Sequence, residues 1–181
     1  APLFTLAAAV GVAQACREAG VEAGIKWPND VLAPAEGDAT GGDPAGRGAP
    51  KIAGVLTEME GEADRVSWLA LGVGINANVD AADLPPGATS LRTLRGEDVD
   101  RRAVVQSLLR AFHALREDPD AVLPAWRSLA TTLGQRVRVE TPGGAVEGRA
   151  VDVAFPGALV VDTADGEVTV HAGDCEHLRA A

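Results

Sequence analysis

The chain has 181 residues, a length that suits one domain or a larger and a smaller one. Hydrophobic residues make up 46% of it, but aromatic residues make up only 3% and none is Tyr, so Ala, Val and Leu must fill the core. The formal net charge of −10 argues against a nucleic-acid partner, because a phosphate backbone needs a basic face. Two distant cysteines exclude a disulfide framework, and no apolar run is long enough to cross a bilayer. We therefore expect a cytoplasmic protein with no membrane partner.

The N-terminal part of the chain predicts a helix followed by a strand. Apolar and small residues recur at helical spacing over Leu3–Ala19, and Gly20 stands where a C-cap glycine would. Val21–Trp27 then predicts a short strand. Pro28 ends it, because proline cannot continue a central ladder, and Asn29–Asp30 turns the chain through side-chain hydrogen bonds. Such a turn is by itself a sufficient explanation of this Asn-Asp pair.

The middle of the chain predicts a long loop and then a hairpin. The segment at about residues 33–50 is rich in Ala, Gly, Asp and Pro, and it lacks the apolar anchors that would offset the entropy of ordering. Lys51–Glu60 and Val66–Val79 predict two strands joined by a turn at residues 61–64. Three glycines interrupt these strands: Gly54, Gly72 and Gly74. Glycine inside a strand marks a bulge or the close approach of a ligand, and three on paired strands favour the ligand.

Lysine is used very selectively in this chain. Of its 16 cationic residues, 14 are Arg, and the only two lysines are Lys26 and Lys51. Lysine carries a compact charge on a flexible stem whereas arginine presents a rigid fork, so the two are not interchangeable at a reacting centre. We expect adjacent strands to bring both ammonium groups to one glycine-lined pocket.

The remainder of the chain predicts two helices and a small β-rich unit. Asp80–Asp100 is an irregular connection, Asp100 can N-cap a helix that runs through Leu115, and a second helix from Asp118 to near Gly134 buries Trp126. From Gln135 onward the apolar period is two, with Gly- and Pro-containing turns, which predicts four or five strands in a small barrel.

A cluster of possible metal ligands lies near the C-terminus, formed by His171, Cys175 and His177. Their spacing matches no standard zinc site and no fourth ligand is evident, so we predict no metal here.

Three blocks, taken as an ordered set, resemble the biotin protein ligases. They are Lys-Trp-Pro-Asn-Asp at Lys26–Asp30, Lys-Ile-Ala-Gly-Val-Leu at Lys51–Leu56, and Gly-Val-Gly-Ile-Asn at Gly72–Asn76. The resemblance implies an α+β fold, with a class II synthetase-like mixed sheet and helices in a catalytic domain at residues 1–133. An SH3-like β-barrel would follow at residues 134–181.

The resemblance also implies ATP-dependent ligation of biotin, through biotinyl-AMP and with Mg²⁺, to a lysine of a biotin carboxyl carrier protein. The implied catalytic residues are Lys51, Lys26 and Asp30. The implied biotin-binding residues are Lys51, Gly54, Leu56, Gly72 and Gly74. The implied nucleotide-binding residues are Asn29, Asn76 and Arg179.

The chain departs from the family pattern because no Gly/Arg-rich loop precedes these blocks. We therefore expect an N-terminally incomplete catalytic domain that activates biotin poorly when isolated. Two alternatives stay open. One is a relative of the lipoate ligases and lipoyl transferases, and the other is a non-catalytic remnant that docks a partner through the sheet at Lys51–Val79. A homodimer is also possible under this resemblance.

Overall fold

The structure is a computed structural model, and it describes residues 2–34, 48–62 and 65–178. The helices are α1 (Pro2–Glu18), α2 (Leu91–Arg95), α3 (Arg101–Glu117) and α4 (Val122–Leu129). The strands are β1 (Gly24–Lys26), β2 (Asp30–Leu32), β3 (Lys51–Glu62), β4 (Arg65–Ile75), β5 (Arg136–Thr141), β6 (Gly144–Ala154), β7 (Ala158–Thr163), β8 (Gly166–Val170) and β9 (Asp174–Leu178). No helix in the described ranges is long and apolar enough to span a bilayer.

The strands form two antiparallel sheets. The first has the order β1-β2-β3-β4, so each strand pairs with its neighbour in sequence. The second has the order β8-β7-β6-β5-β9, because the last strand returns to pair with β5. The α+β architecture expected from the sequence is therefore confirmed, and the four or five predicted C-terminal strands are five, in a sheet that does not close into a barrel over the described residues.

Helix α1 is the centre of the N-terminal core. Most of its buried side chains are alanines and valines, so other elements can approach it closely. At Gly11 an added Cβ would lie 3.0 Å from the Leu108 side chain and 3.2 Å from the Leu108 carbonyl oxygen, so α3 crosses α1 almost in backbone contact. Toward the first sheet, the Thr5 and Thr57 hydroxyls lie 2.6 Å apart. The helix thus separates α3 from the sheet that carries the glycines of β3 and β4.

Trp27 joins the two sheets. Its side chain is buried, and its indole N–H donates to the Gly157 carbonyl in the β6–β7 turn at 2.9 Å. Its backbone N–H donates to the Thr132 hydroxyl, also at 2.9 Å. Trp27, in the turn between β1 and β2, is therefore held by residues of the C-terminal part of the chain.

Local sequence signals predicted the two long helices, α1 and α3. Asp100 accepts hydrogen bonds from the backbone N–H groups of Arg102 and Ala103, which confirms the predicted N-cap of α3. The predicted helix after Asp118 is wrong in its length, since it begins as a short 3₁₀ turn and α4 ends at Leu129. The chain beyond it is extended because it pairs with the free edge of β1, where Ala130 bridges Ile25.

Two short elements escaped the sequence prediction. Asp30 is the first residue of β2 rather than part of the turn, because its register opposite Lys26 makes it a ladder residue. Helix α2 lies within the predicted connection, and it carries recognisable end signals. Ser90 caps it by accepting from the Thr93 N–H, and Gly96 ends it in a left-handed conformation with φ 77°. Most of the predicted loop at 33–50 lies outside the described residues.

Candidate active site

One transverse row of residues crosses all four strands of the first sheet. Lys26 pairs with Asp30, Asp30 with Gly54, and Gly54 with Gly74. Directly opposed residues of antiparallel strands point to the same face, so this row lies on one side of the sheet. A second row on that face pairs Leu56 with Gly72. The sheet register therefore brings together an acid, a lysine and three glycines from three separate segments of the sequence.

A β-bulge brings the second lysine to this face. The register shifts between Val31 and Leu32, so that Leu32 pairs with Lys51 and Ile52 is the extra residue. Because Leu32 is two residues from Asp30, its partner shares the Asp30 face. Bulges commonly re-aim a side chain beside a functional site. Here the Lys51 Nζ reaches the Asp30 Oδ1 at 2.6 Å.

The lysine–aspartate pair is accessible to solvent and to a ligand. The Lys51 side chain is 45% exposed and the Asp30 side chain 26%. An ion pair at such exposure contributes little to stability, about 0–1 kcal/mol. Its charges are therefore available for chemistry at small cost to the fold.

The pair lies at the wall of an open cleft of about 460 Å³. Its lining residues are Asn29, Asp30, Lys51, Gly54, Val55, Leu56, Gly72, Val73 and Gly74. A Cβ at Gly54 would lie 3.1 Å from the Lys51 Nζ, whereas a Cβ at Gly74 would meet nothing within 4 Å. The missing side chains keep the floor of the cleft open, and the exposed Leu56 gives it an apolar rim.

Of the two predicted asparagines, one lines the cleft and the other supports it from behind. The Asn29 Nδ2 donates to the Val55 carbonyl at 2.6 Å, and the Val55 N–H donates back to the Asn29 carbonyl at 3.0 Å. The Asn76 Nδ2 donates to the Thr89 carbonyl at 3.0 Å. Thr89 in turn donates its N–H to the Lys51 carbonyl at 2.9 Å. Asn76 therefore holds the segment that fixes the Lys51 backbone, and it is not among the described lining residues.

The expectation that Lys26 and Lys51 lie on adjacent strands is wrong, and of these two lysines only Lys51 is among the described residues that line the glycine-floored cleft. Strand β2 lies between β1 and β3, because the chain after the Trp27–Asn29 turn re-enters the sheet at Asp30. Asp30 is thus opposite Lys26 in the ladder and within ion-pair distance of Lys51. Arg179, the remaining predicted site residue, lies outside the described residues.

Lys26 lies near two titratable groups of β9 that were not predicted as site residues. Burial, and to a smaller extent the Lys26 charge, lowers the pKa of His177 from 6.5 to about 4. Burial raises the pKa of the Cys175 thiol to about 11, against the opposing effect of Lys26. The His177 Nε2 lies 3.0 Å from the Thr132 Oγ1. Within the described ranges, no three His, Cys, Asp or Glu residues come together as a possible metal site.

The lowered pKa of His177 predicts a loss of stability in acid. The unfolded chain takes up the proton first, so the free energy of unfolding falls as pH drops from about 6.5 to about 4, by about 1–3 kcal/mol. Urea unfolding across this range should show the fall. The His177→Gln variant should show a fall in unfolding free energy that is smaller by about 1–3 kcal/mol. Parallel pH profiles for the two proteins would contradict the assignment.

Comparisons with known proteins place residues 132–178 in the family "Biotin protein ligase C terminal domain". The bifunctional ligase/repressor BirA of Bacillus subtilis is 35% identical over 97% of this chain, which covers 53% of that protein. A biotin–[acetyl-CoA-carboxylase] ligase of Mycobacterium tuberculosis is 37% identical over 87% of this chain and is covered to 54%. The chain therefore spans about half the length of these curated relatives.

Solved structures share the fold. The apo biotin protein ligase of Aquifex aeolicus has a TM-score of 0.78 at 22% identity, over 98% of this chain and 76% of that one. The same enzyme in complex with biotin and ATP has a TM-score of 0.75 at 24% identity, over 99% and 72%. At these identities, the similarity shows a shared arrangement of helices and sheets.

Proposed function

We infer that this chain belongs to the biotin protein ligase family, whose C-terminal part it matches, and we propose that its cleft forms and uses biotinyl-AMP. The observation that carries the proposal is the Lys51–Asp30 pair, with its 2.6 Å contact, at the wall of a cleft floored by glycines. The reaction joins biotin to a lysine of a biotin carboxyl carrier protein at the expense of ATP.

In the first step a biotin carboxylate oxygen attacks the α-phosphorus of ATP, the bond to the β-phosphate oxygen breaks, and pyrophosphate leaves. Negative charge on the carboxylate and phosphate oxygens needs a fixed cation, and a preorganised one is the largest contribution a protein can make to such a step. Lys51 supplies that cation from the wall of the cleft. Gly54, Gly72 and Gly74 leave room for the biotin ring and its chain, with Leu56 at the apolar rim.

In the second step the carrier amine attacks the acyl carbon and forms the new C–N bond. The bond between the acyl carbon and the phosphate oxygen breaks, and AMP leaves. The attacking nitrogen must lose a proton. Asp30 accepts it, a general-base role that needs only hydrogen-bond reach and an unpaired carboxylate oxygen. Once Lys51 turns toward the adenylate, Asp30 is released for this role. Lys26, on the same row of the sheet, supports the phosphate charge.

Asn29, Asn76 and Arg179 are the proposed nucleotide-binding residues, of which Asn29 lines the cleft and Asn76 holds the segment behind it. Mg²⁺ fits as the ion that accompanies ATP, since Asp30 is the only carboxylate among the described lining residues of the cleft. Mg²⁺ is commonly held by one or two carboxylates, with phosphates and water as its other ligands. The ion would neutralise phosphate charge when bound.

The wider setting of the reaction is also a proposal. We assign the catalytic domain to residues 1–133 and the SH3-like domain to residues 134–181, in line with the second sheet beginning at Arg136. We place the protein in the cytoplasm, where both buried cysteines stay free. The carrier docks beside the cleft on the β3–β4 hairpin, which exposes Met59 and Trp68.

Biotin-dependent release of pyrophosphate from ATP tests the proposal, measured on the protein that carries this chain. Lipoate replaces biotin in a matched reaction, and a carrier domain is then added to score transfer. Release with biotin and not with lipoate supports the assignment. Release with lipoate alone favours the lipoate ligases, and carrier binding without any release favours a docking protein.

Gly74→Ala separates ligand exclusion from damage to the fold. Because its Cβ would meet nothing within 4 Å, we expect the free energy of unfolding to stay within about 0.5 kcal/mol. The methyl group enters the cleft, so the Kd for biotin should rise by about tenfold, roughly 1.4 kcal/mol, by isothermal titration calorimetry. Gly143→Ala, at a β-turn away from the cleft, is the matched control. Equal biotin affinity in both variants would contradict a ligand at this face.

A further inference from the structure

The backbone on both sides of Lys26 is held by one segment from outside its own sheet. Residues 130–132 follow α4 and run along the free edge of β1. The Ile25 carbonyl accepts from the Thr131 N–H at 2.8 Å and from the Thr131 hydroxyl at 3.1 Å. The Trp27 N–H donates to the Thr132 hydroxyl at 2.9 Å. Lys26 stands between these two anchored residues.

The anchoring hydroxyl is itself fixed by the C-terminal sheet. Thr132 is completely buried, and its Oγ1 lies 3.0 Å from the His177 Nε2 of β9. The hydroxyl oxygen accepts the Trp27 N–H, so its single proton is free to be donated to the imidazole. That direction requires neutral His177 with its proton on Nδ1. The chain of donors then runs from Trp27 through Thr132 to His177 without a gap.

Burial makes His177 suited to this role. Its partial burial and the nearby Lys26 charge both oppose its protonation. A neutral imidazole beside Lys26 accepts the Thr132 proton without adding a second positive charge to the lysine's surroundings. Cys175, the other β9 group near Lys26, is buried and stays a thiol.

We propose that Thr132 and His177 are positioning residues for Lys26, through which the C-terminal sheet sets the place of this lysine beside Asp30. The expected effect on the rate of biotin transfer rests on the proposed function. The expected effect on the position of Lys26 rests on the hydrogen bonds alone. Both residues act through the β1 backbone, so they position the reacting groups without touching the substrates.

The kinetic test compares removal of the hydroxyl with its retention. Thr132→Val should lower the kcat of biotin transfer by about tenfold, because small misplacements of a reacting group are costly. KM for ATP and biotin should stay within about twofold, as expected when the free cleft is unchanged. Thr132→Ser and His177→Gln, which keep a donor and an acceptor, should restore most of the rate, and His177→Leu should not. Equal losses in Thr132→Val and Thr132→Ser would overturn the proposal.

A second readout does not depend on activity. Because this chain has only two lysines, it contributes two signals to protein labelled with ¹³Cε-lysine, and Lys26→Arg and Lys51→Arg assign them. Thr132→Val should shift the Lys26 signal and leave the Lys51 signal in place, while Thr132→Ser should shift neither. Glu176→Gln, an exposed neighbour on β9, is the matched control.

The two readouts separate the two proposals. A Lys26 signal that stays unchanged in Thr132→Val, in folded protein, overturns the positioning role. If Thr132→Val does not fold, His177→Leu against His177→Gln decides the same question through the Lys51 and Lys26 signals. Wild-type protein without biotin-dependent turnover overturns the proposed function and leaves the lysine spectra to decide the positioning role.

Discussion

Lys51→Met is expected to lower kcat/KM for biotin-dependent pyrophosphate release by about 10²–10³, the usual cost of removing one preorganised charge stabiliser. Lys51 is the cation whose Nζ lies nearest the cleft carboxylate, and the bulge in β3 leaves its side chain half exposed toward incoming oxygens. The loss should be in the chemistry rather than in folding. An ion pair at this exposure contributes only about 0–1 kcal/mol, so the urea midpoint should hardly move.

The control removes a charge of the same sign elsewhere. Arg101→Met takes a cation from the exposed first turn of α3 and should leave pyrophosphate release within about twofold. Lys51→Arg should recover only part of the activity, because a planar fork does not reproduce a compact ammonium. Activity of Lys51→Met at the level of the Arg101 variant would remove Lys51 from the proposed mechanism.

Trp27→Ala is expected to cost about 3–5 kcal/mol of unfolding free energy, the range for deleting a buried tryptophan or phenylalanine. The side chain is 1% exposed, and its indole donates to Gly157 across the two sheets. Removing it empties a core site and leaves a buried carbonyl without its donor. Urea unfolding followed by circular dichroism measures the change.

Trp68 provides the matched comparison. It is 47% exposed on the β3–β4 hairpin and its indole donates to Glu60 at the surface. Trp68→Ala should therefore cost less than about 1 kcal/mol. Trp27→Phe keeps most of the volume and loses the hydrogen bond, so it should fall between the two at about 1–3 kcal/mol. Equal losses for the two alanine variants would show that Trp27 does not join the sheets.

Parts of the active-site prediction needed only local signals. Two lysines among 16 cations pointed to Lys26 and Lys51, and glycines within strand-like segments pointed to the floor of a cleft. Thr132 and His177 were missed as partners of Trp27. They lie 105 and 150 positions beyond it, and no local sequence pattern links residues so far apart.

The sequence by itself determined the elements whose information is local. The period of apolar residues defined α1 and α3, Asp100 marked the start of α3, and alternation after Gln135 defined the second sheet. Only the tertiary structure decided which face each site residue occupies. A strand of three residues such as β2 has too little pattern to be recognised, and a one-residue bulge in β3 reverses the side on which Lys51 emerges. Register and bulges depend on the partner strand, because side chains alternate with a period of two and a shift of one residue changes the face.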